Sequence, residues 1–119
     1  MNETAMALVA LVALLHAYFL VLEMFLWEKP LGRRTFGLSA EQARVTKTLA
    51  ANQGLYNGFL AAGLAWGLLP GPMSLAIRTF FLACVVVAGV FGAFTANWRI
   101  LVVQAAPAGL ALLLTWLAG

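Results

Sequence analysis

Residues 5–27 read AMALVALVALLHAYFLVLEMFLW. Apart from His16 and Glu23 the run is aliphatic and aromatic. As a helix rising 1.5 Å per residue it is long enough to cross hydrocarbon roughly 30 Å thick. The two ionisable residues stand seven apart, nearly two helical turns, so both side chains project from one face. Ionisable groups inside a membrane span are costly, and they face a protein interior, a water-filled cavity or a substrate path. The run therefore predicts a membrane helix and marks where on it function concentrates.

The rest of the chain extends this reading. Of 119 residues, 64% are hydrophobic and 9% charged, where a soluble domain carries roughly a quarter charged residues. Mean hydropathy is +0.97, and the apolar residues fall into blocks of about twenty. Four spans are predicted, at about residues 3–27, 46–69, 74–96 and 98–117. The expected fold is all-α: one transmembrane domain over residues 1–119, an integral membrane four-helix bundle. Pro70-Gly71-Pro72 stops the second span. Asn97 is placed to cap the fourth helix, and Pro107 should kink it by freeing the Val103 carbonyl. The N-terminus lacks a basic n-region and lipidation signals, so the first span is read as retained.

The long polar segment is EKPLGRRTFGLSAEQARVTK, residues 28–47. Pro30 and Gly32 predict a turn at its start. Ser39 followed by Gln42 predicts a capping box, with a helix of about thirty residues starting near Ala40 and running into the membrane. An amphipathic interfacial piece around residues 33–38 is the competing reading. Lys29, Arg33, Arg34, Arg44 and Lys47 lie in or beside this loop, Arg99 falls on the same side, and Arg78 stands alone opposite. By the positive-inside rule the loop 28–45 and the third loop are cytoplasmic, and both termini face outward. A bacterial inner membrane fits this pattern. The pI near 9.6 then reflects topology and contact with anionic membrane lipids, with no nucleic-acid partner.

Several chemistries are excluded. The single cysteine, Cys84, cannot form an internal disulfide and reads as a small buried hydrophobe. One histidine with a nearby glutamate falls short of a three-ligand catalytic zinc site, so no metal is expected. No phosphate-binding loop, dinucleotide fingerprint or serine elbow is present, and no cofactor is implied. Small residues recur at four-residue spacing at Gly54/Gly58, Gly63/Gly67, Ala88/Gly92/Ala96 and Ala105/Gly109. They predict close helix packing, with homodimerisation as the sharper alternative.

Helix arithmetic places the polar residues by depth. From the boundary near Trp27, Glu23 lies roughly 6 Å in and His16 roughly 16 Å in. Counting from Lys47, Asn52 and Gln53 lie at roughly 8–9 Å, and Tyr56 and Asn57 at roughly 14–15 Å. Gln104 sits roughly 8 Å from Arg99. Polar groups of three helices thus share the cytoplasmic half, and the four on the second helix cover an arc of about 140°. The expected site is a pocket open to the cytoplasm or inner leaflet. His16 and Glu23 supply acid/base chemistry, while Trp27, Asn52, Gln53, Tyr56, Asn57 and Gln104 bind the ligand. Since about 10 Å of helix axis separates His16 from Glu23, a ligand or water must bridge them. The alternative is a self-satisfied hydrogen-bond network that fixes packing.

The stretches HAYFLVLEMFLWEKPLGRRTFGL and LAANQGLYNGFLAAGLAWGL, and more loosely VVVAGVFGAFT and QAAPAGLALLL, resemble a family of small predicted integral membrane proteins. It is the domain of unknown function 1304. The resemblance covers nearly the whole chain and implies four spans and no activity. His16, Glu23, Trp27, Asn52, Gln53, Tyr56, Asn57 and Gln104 match its motif positions. Three functions follow as expectations. The first is a site that binds a small lipophilic molecule and converts it by isomerase or hydrolase chemistry. The second is a small proton-coupled exporter working as a homodimer, and the third is a structural or regulatory membrane subunit. Whether the chain is an enzyme is left open by the residues.

Overall fold

The computed structural model describes residues 3–95, 98–99 and 101–118. Among these the chain is all-α, with no strand. Five α-helices follow in order: α1 (Glu3–Met24), α2 (Pro30–Phe36), α3 (Ala40–Leu68), α4 (Ser74–Thr95) and α5 (Ala106–Ala118). A π-helical turn at Leu101–Ala105 leads into α5. Two of the helices, α1 and α4, are long and apolar enough to cross a membrane, and a shorter apolar helix covers Val102–Leu117.

The segment between α1 and α3 folds as local chemistry demands. Helix α1 winds down where the Phe25 and Leu26 N–H groups both donate to the Val21 carbonyl, at 3.0 and 3.2 Å. Pro30 occupies the first turn of α2, where a missing N–H costs nothing. Gly37 ends α2 in the left-handed region at φ 66°, its N–H donating to the Arg33 carbonyl. The expected turn forms just ahead of Pro30, where the Lys29 N–H donates to the Leu26 carbonyl at 3.0 Å. Gly32 is not part of it: Gly32 lies buried inside α2, and a Cβ there would overlap the Leu26 carbonyl. The glycine serves close packing, not chain reversal.

The capping box forms as predicted. The Ser39 N–H donates to Gln42 Oε1 at 2.9 Å, and the Gln42 N–H donates to Ser39 Oγ at 3.1 Å. Helix α3 starts at Ala40 and runs 29 residues. A short helix and the capped long helix do not exclude each other: α2 and α3 both form. The Pro70-Gly71-Pro72 break separates α3 from α4, and Ser74 donates its hydroxyl to the Gly71 carbonyl at 2.9 Å.

The chain divides into two compact units. In Leu14–Ala61, the second half of α1 meets the first three-quarters of α3 along a glycine seam. A Cβ at Gly54 would stand 2.6 Å from Met24 Cγ and 3.1 Å from Glu23 Cβ; one at Gly58 would stand 2.6 Å from Leu20 Cδ1. The predicted Gly54/Gly58 ridge is thus the surface on which α1 rests. His16, Leu22, Ala43 and Ala50 are buried. Trp27 donates its indole N–H to Thr46 Oγ1 at 3.0 Å and tilts against the Phe36 ring, tying the loop to α3.

The other unit takes in Met1–Ala13 and Ala62–Gly119. Here α4 packs with the π turn and α5. Its core includes Leu64, Leu82, Val85, Ala105, Ala108 and Ala111. A Cβ at Gly67 would stand 2.6 Å from Arg78 Cγ, and one at Gly89 would stand 2.6 Å from Ala105 Cβ and 2.8 Å from its nitrogen. Two small-residue expectations are corrected. The close approach on α4 uses Gly89, in register with Leu82 and Val85, while Ala88 is exposed; large residues set the packed face, and spacing alone is blind to that. Gly109 meets no neighbour. Ala96 and Asn97 lie outside the described residues. The predicted disturbance at Pro107 is taken up by the π turn ahead of it, a local rewinding that accommodates the absent N–H.

Candidate functional site

The candidate site residues of Leu14–Ala61 come from α1, α3 and the loop that joins α1 to α2. Leucine, alanine and aromatic residues make α1 a helix without interior Gly or Pro. The His16 and Glu23 side chains have different surroundings. His16 is fully buried and meets the Phe19 ring edge-on at 5.3 Å between centroids. Glu23 is half-buried beside the glycine seam, where Asn57 donates its side-chain N–H to Glu23 Oε1.

That bond brings together a residue predicted for acid/base chemistry and one predicted for ligand binding. Asn52 and Gln53 are not brought with them: both are exposed, and Tyr56 is 52% exposed with its ring edge-on to Phe59. The reason is angular. At 100° per residue Asn57 lies about 140° from Asn52, so a helix that turns Asn57 to α1 turns Asn52 away. Trp27, expected at the ligand, is half-buried and engaged with Thr46 and Phe36. Gln104 belongs to the other unit, half-buried in the π turn.

Sequence reasoning missed partners more than residues. Thr46 as the acceptor for Trp27 carries no sequence signal, since a threonine at a helix start has many roles. Arg78 is buried and donates Nη1 to the Gly67 carbonyl at 2.7 Å, satisfying the end of α3. Its position just beyond a Pro-Gly-Pro break could have suggested such a cap.

The chain matches, over residues 10–116, the family described as Protein of unknown function (DUF1304). It belongs to the DUF1304 family. It is also 31% identical over 105 residues to the uncharacterized protein YpaA of Lactococcus lactis subsp. lactis (strain IL1403), spanning 87% of this chain and 88% of that one. No solved structure matches. Among the described residues no three His, Cys, Asp or Glu side chains cluster to hold a metal ion. A carboxyl group held on one oxygen by an amide, on an apolar helix, can give or accept a proton or a hydrogen bond at its second oxygen.

Proposed function

We propose that this chain is a four-span inner-membrane protein that binds a small lipophilic molecule at Glu23 and processes it by proton transfer. In this reading the loop between α1 and α3 is cytoplasmic and both termini lie outside. The membrane assignment is supported by exposure. Only 28% of the apolar window of α1 and 22% of that of α4 is buried, and Leu14, Phe25, Val87, Phe91 and Phe94 are among the large apolar side chains left exposed. A core helix of a soluble protein would hide such residues; hydrocarbon solvates them.

The observation that carries the site is the hydrogen bond from Asn57 to Glu23. Among the described residues Asn57 is the partner of Glu23, so the amide fixes the carboxyl orientation and leaves Oε2 for a ligand or water. Gln53 and Tyr56, about 40° and 100° from Asn57 on α3, supply hydrogen-bonding groups toward a ligand arriving from the bilayer. His16 is the second proton-carrying group on the same helix, two turns deeper.

The same bond also favours a second reading, in which Glu23 and Asn57 serve packing alone. Native mass spectrometry of the purified protein, wild type beside Glu23→Gln, separates the two. Glutamine keeps a hydrogen bond to Asn57, so the fold survives. Under the binding reading the wild type carries a co-purifying small molecule that the variant loses. If neither carries one and both melt alike, the packing reading holds. Labelling of cysteines introduced into residues 28–39 of a Cys84→Ala background, from the inner side only, tests the topology.

A further inference from the structure

We propose that the loop carries a second site, separate from Glu23, which binds a phosphate ester through Arg33 and Arg34. The two arginines, with Pro30, Gly37 and Leu38, line a surface hollow of about 430 Å³. That is room for a phosphate group and the few carbons attached to it. The hollow lies outside the proposed spans, and its failure leaves the intramembrane reading untouched.

Both guanidinium groups are held from behind. Arg33 donates Nε to the Leu38 carbonyl at 3.4 Å, and Arg34 donates Nε to the Pro30 carbonyl at 3.3 Å. The Arg33 carbonyl in turn accepts the N–H groups of Gly37 and Leu38. This closed exchange around the left-handed Gly37 fixes one rim of the hollow. Anchoring each arginine at Nε leaves its two terminal NH2 groups, the fork that matches phosphate oxygens two at a time.

Charge selects the ligand's sign. The loop's carboxylates are committed elsewhere: Glu41 pairs with Arg44 at 2.6 Å and Glu28 with Lys47 at 3.3 Å. The Glu41 hydrogen bond pushes the Arg44 guanidinium above its ordinary pKa, so that pair stays ionised. Among the described residues neither Arg33 nor Arg34 meets a carboxylate, and no acidic residue lines the hollow. Two adjacent, uncompensated, backbone-anchored guanidinium groups define an anion site. Pro30 and Leu38 on the same surface suit the carbon side of an ester better than a bare inorganic ion. A lipid headgroup and a soluble phosphate ester share this chemistry.

The test follows thermal unfolding of the full-length protein in neutral detergent, titrated with phosphatidylglycerol, glycerol 3-phosphate or, as an ionic-strength control, potassium chloride. Arg33→Gln/Arg34→Gln is compared with Arg44→Gln/Lys47→Gln, which removes the same charge from the paired cations. Stabilisation by the lipid names a headgroup site, and stabilisation by glycerol 3-phosphate alone names a soluble ester; either supports the proposal. In both cases the Arg33/Arg34 variant should need at least about tenfold more ligand, while the control variant stays within about twofold of wild type. Equal loss in both variants, or no stabilisation beyond chloride, overturns it. Should the double variant lose helix content, Arg34→Gln alone gives the same reading, because its anchor lies within its own helix turn.

Discussion

The Leu14–Ala61 unit and the unit formed by Met1–Ala13 with Ala62–Gly119 use polar groups in opposite ways. In the second, polar side chains finish helix ends or, at the exposed surface, join α5 to α4. Arg78 satisfies the Gly67 carbonyl, Ser74 the Gly71 carbonyl, and Trp116 donates to Thr79 at 3.1 Å. The remaining packing is aliphatic, with Gly89 letting α4 reach Ala105. In Leu14–Ala61 a carboxyl in the last turn of α1 meets an amide in the middle of α3, further amides are exposed, and the adjoining loop concentrates charge. Polar groups at helix ends repair what the backbone leaves unsatisfied. The Glu23 carboxyl, although it stands in the last turn of α1, accepts from a side-chain amide and not from the backbone, and that difference locates the candidate function.

The sharpest way to break this contrast is through the packed unit. Gly89→Val should destabilise by about 3 kcal/mol, because the new side chain meets Ala105 backbone that cannot rotate away; thermal unfolding in detergent reads it directly. Arg78→Met should cost about 2 kcal/mol by leaving the Gly67 carbonyl without its charged donor. If Arg78→Met is neutral, the helix-end role assigned to that unit fails. Asn57→Ala should cost about 1.5 kcal/mol in the same assay, since Glu23 loses its partner. Ser39→Ala removes one half of the capping box and should cost about 1 kcal/mol, visible as lost helicity by circular dichroism.

Gln53→Ala is the smallest expected change and the most telling. The residue is exposed, so stability should move by less than about 0.5 kcal/mol. Retention of a co-purifying molecule should nonetheless fall, because Gln53 stands about 40° from Asn57 on α3. A variant that loses stability and keeps the ligand would place Gln53 with packing instead.

Much of the fold was legible in the residues because its signals are local. The capping box at Ser39 and Gln42 and the Pro-Gly-Pro break each act within a few residues, and no distant contact competes with them. The candidate site was legible only in part. That Glu23 stands on an apolar helix is plain from the chain, and so is the polar arc of α3. Which member of the arc would turn to Glu23 depends on the rotation of α3 about its axis, and the Gly54/Gly58 seam sets that rotation by admitting Leu20 and Met24.

The sequence by itself determined an all-α chain, with helices interrupted where proline and glycine remove hydrogen bonds or permit left-handed turns. It also determined the concentration of charge between the first two long helices. Only the tertiary structure decided that Asn57 holds Glu23, that Gly89 rather than Ala88 meets α5's lead-in turn, and that Arg33 and Arg34 line one hollow. The physical reason is the same in each case. Helix formation is a property of neighbouring residues, whereas the face a helix presents is chosen by the side chains it must fit against.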